Sequence, residues 1–155
     1  KSKKIYVEDF FIEYGHQAIR ANEYIHGFEI SNPKNKKFEF KAYKVSKRRY
    51  EDISTITGAF YYENILNKKP VARFAFGGMA GIPKRSKSLE NLFKENPENN
   101  FDENNIETAI KSDFQPLTDC RATSQYRQRV AENLFKKFTY FVNNEFDREE
   151  ISRVS

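Results

Sequence analysis

The residues best placed to do chemistry lie between Ala42 and Gly58, in the stretch AYKVSKRRYEDISTITG. Four cations (Lys44, Lys47, Arg48, Arg49) and two carboxylates (Glu51, Asp52) are packed there between two β-leaning runs. A lysine at a strand end is a positioned hydrogen-bond donor, and a mixed-charge loop beside it can set the local potential around a bound group. The plain alternative is a solvated, salt-bridged connection, which is what most such charge runs are. Other chemistries lack their parts. There is no nucleophile elbow and no paired His and Cys, and His16 has no Cys, Asp or His at metal-ligand spacing. His26 reads by default as a structural histidine. The single cysteine, Cys120, allows neither an internal disulfide nor an iron–sulfur cluster within the chain and suits a reducing cytosol.

Strands must hold the charged loop on both sides. Upstream, Phe38, Phe40 and Ala42 alternate with Lys37, Glu39 and Lys41, which predicts a half-buried strand over 37–43. Downstream, Ile56, Gly58, Phe60 and Tyr62 share one face of a strand over 53–62. After a hairpin-length connection from Glu63 to Lys69, Pro70 heads a third strand over 71–76. Ala72, Phe74 and Phe76 line one side of it, and Val71, Arg73 and Ala75 the other. Short links make these strands an antiparallel meander. Gly77-Gly78-Met79-Ala80-Gly81 follows at once. It is neither a GxGxxG fingerprint nor a P-loop, and it reads as a tight strand-to-helix turn packed on a neighbouring backbone.

Three helices close the chain. Leu89, Leu92 and Phe93 stripe one near Ser88; Asp102 caps a second, which carries Ile106, Ala109, Ile110 and Phe114. The longest runs from Tyr126 to Asn143, with Tyr126, Val130, Leu134, Phe138 and Val142 recurring every four residues and Ala131, Phe135 and Phe141 beside them. Tyr126, Val130, Leu134, Phe135 and Phe138 are the expected core of its contact with the sheet. The predicted fold class is α+β, an antiparallel sheet of at least three strands with helices packed on one face. Before the meander, Phe10, Phe11 and Tyr14 predict one helical turn stopped by Gly15, and Tyr24 to Ile30 predicts a strand with His26, Phe28 and Ile30 on one face. Asn32-Pro33-Lys34-Asn35-Lys36 is the best boundary between units.

The totals agree with a folded domain. The chain has 155 residues, 38% of them hydrophobic, 32% charged and 15% aromatic, enough for a real core. It opens at Lys1 rather than Met, which reads as an excised or processed part of something longer. No apolar run reaches membrane-spanning length. Of the net charge of +5, the excess sits at the front, where residues 1–50 carry 12 Lys/Arg against 6 Asp/Glu. Such a front attracts phosphates, so a nucleic-acid-binding module built on it and on Phe38, Phe40 and Tyr43 is the alternative from another class. KAYKVSKRRY does not fit the RNP pattern that an RNA-recognition sheet requires.

Three motifs in order carry a family resemblance: KVSKRRYEDISTITGAF, ARFAFGGMAGIPKR (Ala72 to Arg85) and DCRATSQYR (Asp119 to Arg127). Together they resemble the C-terminal flavoprotein domain of molybdenum-containing hydroxylases, and within them the small iron–sulfur and FAD subunit of bacterial xanthine dehydrogenases. VEDFFIEYG and EYIHGFEIS resemble the join to that subunit's FAD-binding domain. The resemblance implies three parts: residues 1–32 as the end of the FAD-binding domain and a connecting strand, 33–143 as the domain resembling the CO dehydrogenase flavoprotein C-terminal domain, and 144–155 as a polar tail. It places Lys44 against the flavin and Arg48, Arg49, Glu51 and Asp52 along the route of NAD. It also places His26 where the family has an apolar residue near the flavin. FAD would be held mostly by the preceding domain, with iron–sulfur clusters and molybdopterin elsewhere and a molybdopterin-binding large subunit as partner. The implied role is to cover the flavin in cytoplasmic, NAD-linked purine hydroxylation, with no bond-breaking by this fragment alone. The alternative within the family is another hydroxylase, of the CO or aromatic-CoA dehydrogenase type.

Overall fold

The computed structural model describes residues 2–31, 38–48, 50, 53–63, 70–96 and 101–143. The boundary at Asn32 to Lys36, Arg49, Glu51, Asp52, most of the Glu63–Lys69 connection and the polar tail therefore lie outside the described residues. The meander forms as expected: β3 (Phe38–Val45), β4 (Ile56–Glu63) and β5 (Val71–Gly77) are antiparallel neighbours. A two-residue strand, β6 (Lys84–Arg85), extends the sheet on the β5 side. Before the sheet lie α1 (Val7–Phe10) and the short pair β1 (Phe11–Glu13) and β2 (His16–Gln17). After it come α2 (Lys87–Glu95), α3 (Glu103–Asp113) and α4 (Ser124–Val142).

Register decides which side chains meet the helices. Phe60 lies opposite Phe74, Gly58 opposite Phe76 and Tyr62 opposite Ala72, so the apolar rows of β4 and β5 fall on the same face. Phe135 and Phe138 of α4 and Phe93 of α2 close on that face, and Phe60, Phe74, Phe76, Phe93, Phe135 and Phe138 are all buried. The rings meet mostly edge to face: Phe74 packs that way on Phe60, Phe93, Phe135 and Phe138 at centroid distances of 5.3–5.7 Å. This geometry suits the aromatic quadrupole and fixes the angle between helices and sheet.

Polar contacts join the remaining elements. Ser86 caps α2 by accepting from the Leu89 amide, and its hydroxyl donates to Asp113 Oδ2 at the end of α3. The Ser88 amide donates to the same carboxylate oxygen, tying α2 to α3 at one point. Glu90 is buried, accepts from the Phe74 amide at 3.0 Å, and receives Arg85 Nε and Nη2 at 2.9 and 2.6 Å. The third arm of Arg85 reaches Glu8, which fastens the first segment of the chain to the sheet edge.

Four expectations are corrected. The apolar row of β3 faces away from the helices: Phe38 and Phe40 are exposed, while Tyr43 and Val45 pack against the core and Lys41 places its ammonium over the Phe141 ring at 4.1 Å. Pairing of Tyr43 with Gly58 imposes this, because a strand's neighbour fixes its parity. Tyr126 is exposed and Arg127, one position on, is buried in its place. The helical turn near Phe10 ends at that residue; Phe11 begins β1, and Gly15, at φ +72°, makes the turn into β2. Tyr24 to Ile30 forms no strand: no described residue pairs with it, and Tyr24, Ile25, Phe28 and Ile30 are exposed.

The aromatic core yields a contrast. Phe138→Ala should cost about 3–5 kcal/mol, the range for deleting a buried ring, whereas Tyr126→Ala should stay within about 0.5 kcal/mol, as exposed sites do. Urea denaturation of the two variants checks this, and equal losses would contradict the packing described.

Candidate functional site

Lys44 stands near the end of β3 on the sheet face opposite the helices, and it is exposed. Thr57 lies directly across from it on β4, and Gly77 across from Thr57 on β5. One step along the strands, Ala42, Ala59 and Ala75 form a parallel row on the same face. These two rows, with Pro83 at the margin, line a shallow groove of about 330 Å³. Its floor is therefore made of methyl groups and bare backbone. At its edge are an ammonium and a hydroxyl, and neither Lys44 nor Thr57 makes a side-chain hydrogen bond or ion pair with a described residue. Gly77 helps set that edge: a Cβ there would come within 2.4 Å of Thr57 Oγ1 and push the hydroxyl aside.

The charged loop leaves β3 after Val45 and is tied at both ends. At its base the Thr55 amide donates to Val45 O at 2.8 Å. Ser46 Oγ donates to Arg48 O, and Lys47 Nζ reaches Cys120 O at 2.7 Å. At the far end the buried Arg127 donates through Nη1 to Thr55 O and, at 3.0 Å, to Gly78 O; its Nη2 donates to Asp119 Oδ1 at 2.7 Å. The three sequence motifs thus meet at one guanidinium. Gly78, at φ +80°, permits the meeting, since a Cβ would lie 2.4 Å from Thr55 O. Gly78 packs against neighbouring backbone as expected, but the glycine segment leads into β6 rather than straight into a helix, so the expected strand-to-helix turn is corrected to a connection between two paired strands.

Asp119 completes the junction. Its carboxylate accepts from the Arg121 and Ala122 amides at 2.9 and 3.1 Å besides Arg127. The Arg121 amide, the Arg127 guanidinium and the Ala122 amide, in that order, hold its pKa well below the usual carboxylate range. A second cleft, of about 380 Å³, opens beside the loop between Ser46, Lys47 and Thr55 on one side and Arg121, Thr123 and Tyr126 on the other.

Of the residues expected to act together, Lys44 lines the groove and Arg48 lies in the loop that follows β3, exposed and engaged in contacts of its own. Glu51 and Asp52 lie outside the described residues. His26 is exposed on a segment without regular structure and lines neither cleft. Arg127 and Thr57 were not singled out by sequence reasoning. A cation leading the stripe Arg127, Ala131, Leu134, Phe138 was the available signal for the first.

The fold and this face define a class: an antiparallel sheet covered by helices on one side, with a shallow ring-sized groove on the other. The chain belongs to the CO dehydrogenase flavoprotein C-terminal domain family, which it matches over residues 41–142. Among solved structures it is similar to quinoline 2-oxidoreductase from Pseudomonas putida 86, with a TM-score of 0.63 and 16% identity over 84% of this chain and 44% of that one. It is also similar to a carbon monoxide dehydrogenase from Hydrogenophaga pseudoflava that lacks the Mo-pyranopterin moiety of its molybdenum cofactor, with a TM-score of 0.56 and 15% identity over 83% and 44%. These likenesses are of fold, and the chain spans less than half the length of either structure. No curated protein matches the sequence. Among the described residues no cluster of His, Cys, Asp and Glu could hold a metal ion, and no helix is long and apolar enough to cross a membrane.

Arg127→Met removes the donors and keeps an apolar stem. It should destabilise the domain by about 1–3 kcal/mol, the cost of leaving the buried Thr55 carbonyl without its donor, with Arg127→Lys recovering part of the loss. The Asp119 linkage has a sign. Its folded pKa lies below that of an ordinary aspartate, so its contribution is complete above the unfolded value and fades as pH falls towards the folded one. Acid titration of stability should therefore be shallower below about pH 4 in Asp119→Asn than in the parent. Superimposable acid limbs would exclude that carboxylate.

Proposed function

We propose that this domain covers one side of the flavin in the FAD-containing subunit of a xanthine dehydrogenase-type molybdenum hydroxylase and shapes the approach of NAD. The observation that carries the reading is the groove beside Lys44, a methyl-floored surface whose rim donors have no side-chain partner among the described residues, on the sheet face that the domain's own helices leave open. An isoalloxazine is a planar heteroaromatic ring with carbonyl acceptors along one edge, and the residues present fit it. When bound, FAD would couple one-electron transfers from iron–sulfur clusters to hydride transfer to NAD. The protein's part is to orient and to tune: alanine methyls contact the ring face, and Lys44 donates to its acceptor edge. Lys47, Arg121 and the exposed Tyr126 ring beside the loop suit the phosphates and a base of a dinucleotide. Arg48, Glu51 and Asp52 fit a role in setting its approach.

In the same reading residues 1–32 are the end of the preceding FAD-binding domain. The exposure of Tyr6, Tyr14, Tyr24, Phe28 and Ile30 supports this, because side chains of that size are normally covered. The glycine-rich part of the FAD site would belong to that preceding domain, and the molybdenum and iron–sulfur centres to other parts of the assembly. The motif FGGMAGIPKR favours the xanthine type over a CO or aromatic-CoA dehydrogenase.

Replacing Lys44 by Met in the assembled enzyme should weaken flavin retention by about 10-fold or more, since a hydrogen bond to a charged group contributes about 1.5–3 kcal/mol. Glu51→Lys should mainly slow NAD reduction and leave turnover with an artificial acceptor that takes electrons before FAD nearly intact. Flavin content and the two steady-state rates decide it. If both variants match the parent, the loop is only a salt-bridged connection. Purified residues 1–155 should not retain FAD through gel filtration; a stoichiometric yellow chromophore would contradict the division of the site.

A further inference from the structure

We infer that Thr57 is a second hydrogen-bond donor to the ring held in the groove, acting beside Lys44 on the same polar edge; this rests on the flavin reading above. Three observations lead to it. Thr57 is the direct cross-strand partner of Lys44, so their Cβ atoms lie about 4.5–5.5 Å apart on one face, close enough to serve neighbouring acceptors of one ring. Thr57 is half-buried and lines the groove, yet its side chain makes no hydrogen bond with any described residue. The hydroxyl opens onto the groove, where it is available to a group held there.

The third observation is that the backbone makes room for the hydroxyl. Oγ1 occupies the space where any side chain at position 77 would begin, 2.4 Å from the Cβ position of Gly77. Glycine at 77 thus leaves the hydroxyl in place at the rim, between the Lys44 ammonium and the bare backbone of β5. The row Lys44, Thr57, Gly77 is the polar counterpart of the row Ala42, Ala59, Ala75. One row faces the ring's edge and the other its plane. A donor to a carbonyl of the ring stabilises the more electron-rich reduced form, so Thr57 raises the flavin potential as well as holding the ring.

The test uses the full enzyme stripped of flavin and reconstituted. Thr57→Val keeps the shape and removes the donor; Thr57→Ser keeps the donor and removes a methyl. Flavin affinity, followed by fluorescence titration, should fall roughly tenfold in Thr57→Val and stay near the parent in Thr57→Ser. The midpoint potential should become more negative only in Thr57→Val. Equal losses in both variants would assign Thr57 to packing and overturn the inference. So would an unchanged Thr57→Val alongside a weakened Lys44→Met, which leaves the flavin reading standing. If Thr57→Val and Lys44→Met both bind flavin as the parent does, the groove is not the flavin surface and both readings fail.

Discussion

The structure depends on one buried guanidinium. Arg127 enters from the first turn of α4 and donates to Thr55 O, to Gly78 O and to Asp119, so it ties the end of the charged loop, the turn after β5 and the segment before α4 together. Burying a charge costs several kcal/mol unless partners offset it. Here a carboxylate and two carbonyls do so, with only Nε unpaired. The arrangement holds because each contact is short and charge-assisted. It also explains the glycine at 78, whose positive φ and missing Cβ let the carbonyls converge.

From that junction the functional face follows. Thr55 precedes β4 and Gly78 follows β5, so fixing both carbonyls fixes the ends of the two central strands at which Thr57 and Gly77 sit. The phenylalanine cluster holds the other side of the same strands against the helices. A sheet clamped from one side by rings and at one end by a guanidinium presents its open face as a rigid surface. Rigid support is what a cofactor-covering surface needs, because small displacements of a donor weaken its hydrogen bond.

Much of this was legible in the chain. The faces of β4 and β5 read correctly because they differ sharply, with Phe60, Phe74 and Phe76 on one and Ala59, Arg73 and Ala75 on the other, although β4 begins at Ile56 rather than at the expected Ile53. β3 read with its faces reversed, since Phe38 and Phe40 look like core while Tyr43 and Val45, two residues that matter more, stand on the other parity. Periodicity on α4 was right about Leu134, Phe135 and Phe138 but counted Tyr126 as core, because a buried arginine carries no hydrophobic signal. The pattern of Tyr24 to Ile30 was read as a strand, yet a strand needs a neighbour and no described residue provides one. At the site, Lys44 was visible as a cation at a strand end. Thr57 was not, since its significance lies in register and in the absent side chain of Gly77, and neither is a property of composition.

The central claim is that the open sheet face at Lys44 covers bound flavin. Amine-reactive labelling of the full enzyme, with flavin bound and with flavin removed, tests it most directly. Lys44 should be protected when flavin is bound and labelled once it is removed, while exposed Lys87 and Lys94 on α2 react alike in both forms. Equal labelling of Lys44 in the two forms would contradict the account.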